Sequence, residues 1–390
     1  MISSAFRIIL FASLGHFCID FMIGIWPVFK TIAGLDLAKA SILAAVCVFT
    51  GESLQMFVGS LCDRGYARYL IATGVTIATT SLLFPFVSTY AAFFLLYMGT
   101  CLGSSAFHPT AASLLSGLDV VRKNCVMGVF SASGMLGFGL SQITFSWTLQ
   151  ECGGNTHLLA VVPFMLAIAC FFLLPKQKAV ASTEKKEYSF KLILSFFKNK
   201  TLLALFITLL ANQIILFSML FLLPDYLSSL QISSWIALGG GTLFFMAGAS
   251  LSPPLLGYLA DRSSVRNVLV IVSSLSFATY LVLLLSHGLS EEMVLGLLFS
   301  MGALLGGVSA LVWSFGAQVV PEHRGMVSAF LMGYVWIFAE AGGIGLSGVL
   351  ADLFAEDGPR KALLSLAAAG LFAIFYASKI PVRLPQPDEA

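Results

Sequence analysis

The feature that most constrains this chain is a recurring apolar run of about 20 residues, the length of helix that crosses the hydrocarbon core of a bilayer. Such runs stand near 7–29, 38–62, 69–89, 92–116, 125–148 and 157–175, and again near 201–223, 235–260, 267–287, 292–317, 325–350 and 361–380. Lipid offers no partner for backbone N–H and C=O groups, so each run must close its hydrogen bonds internally as a helix. A soluble alternative fails on charge. Only 10% of the 390 residues are charged, against roughly 25% in ordinary soluble domains, too few to cover a water-facing surface. The run that begins at Ile8, after Arg7, carries no small-residue cleavage site and reads as a permanent first helix. The expected fold is therefore all-α and integral to the membrane, with twelve transmembrane helices.

The placement of the few charges orients the helices. The stretch from Lys176 to Lys200 holds Lys176, Lys178, Lys185, Lys186, Lys191, Lys198 and Lys200, and separates six runs from six. The expected organisation is 1–175 as an N-terminal six-helix half, 176–200 as a basic cytoplasmic connector and 201–390 as a C-terminal half. Within the connector, the amphipathic stretch from Tyr188 to Phe197 is expected to lie on the membrane surface as a helix. With the N-terminus in the cytoplasm, inside segments collect 17 of the 21 basic residues, and outside segments keep Lys30, Lys39, Arg360 and Lys361. The positive-inside rule then puts both termini in the cytoplasm of a multi-pass protein of the cell (inner) membrane.

The two halves share a signature. Gly59, Asp63, Arg64 and Arg68 follow the pattern Gly-x-x-x-Asp-Arg-x-x-x-Arg, and Gly257, Asp261, Arg262 and Arg266 repeat it in the loop after the eighth run. Duplicated halves with one signature each are the mark of a secondary transporter. On these residues the chain resembles the major facilitator superfamily, whose loop between the second and third helices carries this motif. The resemblance implies a twelve-helix fold of two pseudo-symmetric halves, working as a monomer. It also implies that Asp63 and Arg64, with Asp261 and Arg262, latch the halves when the transporter is open outward. A narrower resemblance rests on His16 and Asp20 in the first run, on Phe107-His108-Pro109 in the fourth, and on Arg324-Gly325-Met326-Val327-Ser328 at the start of the eleventh. These look like the fosmidomycin-resistance group of exporters. That group usually has Glu after Phe-His-Pro, where Thr110 stands here.

Ionisable groups inside lipid cost at least about 2.5–3.5 kcal/mol and are functional candidates by default. His16 and Asp20, four apart, share one helix face; Asp20 is the candidate proton carrier. His108 precedes Pro109, where a freed carbonyl and a kink are expected, and suits substrate contact or tuning of Asp20. Glu52 and Gln55 share a face of the second run, and Glu340 sits well inside the eleventh; each carboxylate is a candidate for proton handling or gating. Asn212 and Gln213 in the seventh run are candidates for hydrogen bonding to substrate. Pro109 and Arg324 join the latch residues as gating candidates. Trp313 and Gln318 extend the list on the tenth run. Trp26 and Trp147, near run ends, read as interfacial anchors. The glycines of the fifth and eleventh runs are expected to let helices approach and slide.

The sequence excludes several classes. It has no phosphate-cradling Gly-Lys-Ser/Thr loop, no HExxH and no nucleophile elbow, so neither ATP-driven pumping nor enzymatic activity is expected. No run of like charge suits nucleic acid. Its seven cysteines lack metal-ligand spacing and read as small apolar residues. No metal or cofactor is expected. The expected partners are a small-molecule substrate, protons as coupling ion, and the lipid bilayer. The expected function is proton-coupled efflux of a small anionic or amphiphilic compound, fosmidomycin-like or another drug. An importer of a sugar phosphate or organic anion is one alternative, and a non-transporting receptor or assembly factor another.

Overall fold

The computed structural model describes residues 4–120, 123–175, 190–323, 326–327 and 330–382. Arg324, most of the connector (176–189) and the side chain of Asp63 lie outside the described residues. Twelve helices among those described are long and apolar enough to span a membrane. The first six are Ser4–Ile32, Leu37–Gln55, Arg64–Phe86, Tyr90–Ser116, Cys125–Glu151 and Thr156–Leu173. The last six are Lys200–Ser229, Ile236–Arg262, Val265–Leu285, Glu291–Val319, Phe330–Phe354 and Gly358–Lys379. An even number of spans puts both termini at one end, called here the terminal end; the opposite end is the far end.

Local chemistry sets the boundaries. Thr89, Asn199, Ser264 and Ser290 each accept a backbone N–H at a helix start, satisfying donors that lipid cannot. The fourth span runs from Tyr90 to Ser116 as one continuous helix with Pro109 inside it. A short helix at Phe190–Phe196 lies within the stretch read as a surface helix. It does more than lie on lipid, since Phe196 packs edge-on against Phe330 of the eleventh span at 5.6 Å.

The first and seventh spans overshoot their expected ends and reach Ile32 and Ser229, continuing past Trp26 to Lys30 and past Tyr226 and Leu227, which are buried in protein. Trp26 is fully buried, stacked on Tyr97 at 5.3 Å and set among Phe29, Phe84 and Phe93. The interfacial reading of Trp26 is therefore corrected: the indole is a packing core, each ring pair contributing about 0.5–1.5 kcal/mol. Trp147, by contrast, is mostly exposed.

The two groups of six spans meet along the second and eleventh spans and along the fifth and eighth, and they meet at the far end. Ser41 donates to the Gly345 carbonyl at 3.4 Å, and a Cβ on Gly348 would overlap the Ser41 side chain. Ser146 donates to the Leu238 carbonyl at 2.9 Å, and Thr242 to the Gln142 amide oxygen at 2.7 Å. Gly239 has φ +153° and packs its α-carbon on the backbone of Ile143, so both space and conformation require glycine there. Toward the terminal end, Gly128, Gly257 and Gly333 would each point a Cβ into open space. The chain is thus closed at its far end, where these hydrogen bonds join the two groups of six spans.

Candidate functional site

Three ionisable side chains from two spans converge where the sequence placed its strongest candidates. His16 Nε2 lies 3.3 Å from Asp20 Oδ2, and His108 Nε2 lies 3.3 Å from Asp20 Oδ1. The side chains are 12%, 21% and 25% exposed for His16, Asp20 and His108, so the triad is screened from bulk water but reachable. The helical repeat brings His16 over Asp20. The fourth span presents His108 because its backbone packs closely on its neighbours: Gly103 and Gly74 stand nearly backbone to backbone. Phe107 is fully buried on the other side of His16, and the two imidazoles meet edge to face at 4.9 Å.

The fifth span completes the pocket. Phe130 stacks on His16 at 4.1 Å and its carbonyl oxygen lies 2.7 Å from His16 Nδ1. A carbonyl only accepts, so Nδ1 carries the hydrogen, and neutral His16 turns a lone pair on Nε2 toward Asp20. Two lone pairs at 3.3 Å would repel. A proton placed between His16 and Asp20, on the imidazole or on the carboxyl, turns this contact into a hydrogen bond. His108 is less constrained: Nδ1 lies 2.9 Å from the Ser104 hydroxyl and 3.2 Å from the Ser104 carbonyl. The hydroxyl donates to a bare Nδ1, or Nδ1–H donates to Ser104, so Nε2 can face Asp20 with or without a hydrogen. The triad can take up or give up a proton by exchanging hydrogens on fixed heavy atoms.

The expected role of the fifth-span glycines becomes specific here. A Cβ on Gly134 would stand 2.5 Å from His16 Nε2 and would overlap Asp20 as well. Gly134→Ala is expected to lower transport at least tenfold with membrane expression unchanged, because the displaced His–Asp pair loses about 1–2 kcal/mol of charge-assisted contact. Gly128→Ala on the same helix, where a Cβ meets nothing within 4 Å, is expected to leave transport as it is. Equal losses in both variants, measured as flux per immunoblotted protein, would remove Gly134 from the site.

The three groups also offer one donor atom each within 4.8 Å of one another. Two imidazoles and a carboxylate are a donor set that a divalent ion could use.

The remaining candidates sort by position. Glu52 accepts from Gln55 at 2.5 Å and lies within electrostatic range of His108 and Asp20. Glu340, on the eleventh span, is only 9% exposed and lies within range of Glu52 and Asp20. Carboxyl groups from the first, second and eleventh spans thus face one interior. Gln213 is buried on the seventh span. The Asn212 amide nitrogen donates to the Thr208 carbonyl at 2.8 Å and to Ser273 of the ninth span at 3.1 Å, which braces the seventh span on the ninth. At the loop signatures, Arg64, Asp261 and Arg262 are exposed and form no ion pair with another described side chain, while Arg262 stacks over Tyr258 at 4.4 Å.

One pair was missed. Lys30 was counted among outside charges, but it is fully buried at the far end and ion-paired with Asp225 of the seventh span. Thr31 donates to the other oxygen of Asp225 at 2.9 Å, and the Lys30 ammonium also lies 4.5 Å over the Phe221 ring. The signal was available. Lys30 and Asp225 are 195 residues apart, close to the 198 that separate the two loop signatures, so opposite charges close equivalent ends of the first and seventh spans.

Comparison with known proteins accords with this geometry. Multidrug resistance protein MdtG of Klebsiella pneumoniae (strain 342) is 26% identical over 348 residues, covering 85% of this chain and 82% of that protein. Among solved structures, a bacterial homolog of the human lysosomal transporter Spinster, captured inward-facing and unoccupied, aligns with a TM-score of 0.74 at 13% identity over 97% of this chain and 98% of that one. A mutant of the nucleoside transporter NupG aligns at 0.76 and 15% identity, over 97% and 100%. At such identities the structural likenesses establish the fold. The sequence profile described as Major Facilitator Superfamily matches residues 8–339, and the chain belongs to that family of membrane transporters.

Proposed function

We propose that this protein is a proton-coupled exporter of a small amphiphilic compound, with Asp20 as the proton carrier and His16 and His108 as the groups that share its proton. The observation that carries the reading is Asp20 held between two imidazoles, one of them fixed in tautomer by the Phe130 carbonyl. A carboxylate so placed can hold and release a proton inside the bundle, and coupling requires that its proton occupancy bias the rocking of the two halves. The basic bias of the terminal-end segments supports cytoplasmic termini, and the closed far end then faces outward. Export is supported by the sequence likeness to a protein named for multidrug resistance and by the motifs around His16, Phe107 and Met326 that resemble the fosmidomycin-resistance group. An inner-membrane location fits this reading, and transporters of this family bind small solutes and work as monomers.

The test is flux in proteoliposomes under an imposed pH gradient, with ethidium and a phosphonate antibiotic as probes. The expected result is movement of one probe against the proton gradient, abolished by nigericin and unchanged by a chelator such as EDTA. Flux that survives nigericin with the membrane potential clamped contradicts proton coupling. Flux abolished by EDTA alone assigns the triad to a metal ion instead.

A further inference from the structure

The exported compound, if the reading above holds, must be recognised by the walls of the central space, and those walls carry a definite chemical preference. The wall from the first six spans supplies Asp20 and Glu52. The opposite wall supplies Glu340, which is nine-tenths buried, within electrostatic range of both of those carboxyls, and without a hydrogen bond or ion pair to any described residue. No lysine or arginine forms an ion pair with these three groups among the described residues. Lys30 is already spent on Asp225.

An aromatic cluster adjoins this carboxyl. Trp336 lies one helical turn before Glu340 on the same face of the eleventh span. Its ring meets Phe217 of the seventh span at 5.7 Å in a T-shaped contact and Trp313 of the tenth span at 6.4 Å. The indole nitrogens of both Trp313 and Trp336 are buried and lack a hydrogen-bond partner. Buried N–H groups normally find partners, so two orphaned donors beside an orphaned carboxyl mark a surface that something else completes.

We propose that the central site binds an organic cation with an aromatic or bulky apolar body, its positive charge placed at Glu340 and its body against Phe217, Trp313 and Trp336. Aromatic faces attract cations through the ring quadrupole, and the attraction grows when water is excluded. The carboxyls supply the charge complement, and the buried indole N–H groups receive acceptor atoms of the substrate. An anion entering the same space meets three carboxyl groups, whose basic partners among the described side chains are the imidazoles of His16 and His108 on Asp20; Glu52 and Glu340 pair with no lysine or arginine. This sets the substrate class apart from the anionic antibiotics that the narrower sequence resemblance suggests, and it rests on the transport reading above.

Tetraphenylphosphonium and tetraphenylborate share a shape and differ in charge sign, which separates charge recognition from greasiness. The experiment measures equilibrium binding of each radiolabelled ion to the purified full chain in nanodiscs, with empty nanodiscs subtracted. The expected result is saturable binding of the phosphonium and none of the borate. Glu340→Gln is expected to weaken phosphonium binding by about tenfold or more, as for loss of one charge-assisted contact. Glu340→Asp, which keeps the charge, is expected to retain most of it and so controls for misfolding. Trp336→Ala is expected to weaken binding several-fold, whereas Trp147→Ala, on the exposed surface, leaves it unchanged. Equal binding of the two ions, or phosphonium affinity unmoved by Glu340→Gln, overturns the proposal. The failures are distinguishable. Phosphonium binding without any response of flux to the pH gradient overturns proton coupling and leaves the cation site standing. Proton-coupled flux of the phosphonate probe without phosphonium binding overturns the cation site alone.

Discussion

Asp20→Asn is expected to reduce proton-driven flux by about 100-fold or more, the scale on which a positioned proton-transfer group contributes to a rate, with folding and membrane insertion intact. The substitution is isosteric, and its contacts can be kept. The new amide nitrogen can donate to His16 Nε2, and the amide oxygen can accept from His108 Nε2, at the positions where the two carboxylate oxygens now stand 3.3 Å from each ring. What is lost is the ability to hold and release a proton between those rings. Transport measured in inverted vesicles, normalised to protein by immunoblot and checked by size-exclusion chromatography, separates this loss from misfolding. A non-transporting receptor built on the same fold predicts that the substitution is tolerated. Unchanged pH-driven flux in Asp20→Asn would refute the assignment of Asp20.

Removing the Lys30 side chain is expected to shift the protein strongly toward opening at its far end. Lys30 is fully buried and Asp225 is 12% exposed, and together with Thr31 they tie the first span to the seventh. Deleting one member of a buried ion pair leaves the other charge uncompensated, at a cost of about 3–5 kcal/mol. That cost falls on the sealed state, where the pair is buried, and is relieved when the far end opens to water. A bias of about 3 kcal/mol moves a two-state equilibrium by roughly 100-fold. Spin labels on Lys39→Cys and Ser228→Cys, in a background without reactive native cysteines, report the distance across the far end. Lys30→Ala is expected to lengthen it. Lys30→Ala combined with Asp225→Ala, which removes both charges, is expected to restore much of the sealed population. An unchanged distance in Lys30→Ala would show that the pair does not hold the gate.

These two sites differ in how far the sequence revealed them. The spans were legible because lipid imposes a length and a composition on every crossing, and the structure departs from that reading by a few residues at the ends. The overshoot of the first and seventh spans has one cause. Hydropathy locates where a helix leaves lipid, while Trp26, Lys30 and Tyr226 continue the first and seventh helices into protein-lined space at the far end. His16 and Asp20 were legible as a pair because the helical repeat alone puts them on one face. Their union with His108 was not, because it depends on the approach of the fourth span, set by Gly74 and Gly103. The Phe130 carbonyl and the clearance at Gly134 carry no side-chain signature at all. The Asn212 contact carries no sequence signal either, because a mid-span amide looks the same whether it faces a substrate or donates to Ser273 of its own bundle.

The account stands on protonation of the His16–Asp20–His108 triad being linked to which end of the protein is open. The same far-end spin-label distance, recorded without substrate across a pH range spanning histidine titration, measures that link directly. The account predicts that the distance distribution changes with pH in the native triad and becomes independent of pH in Asp20→Asn. An identical pH response in both proteins, or none in either, would contradict it.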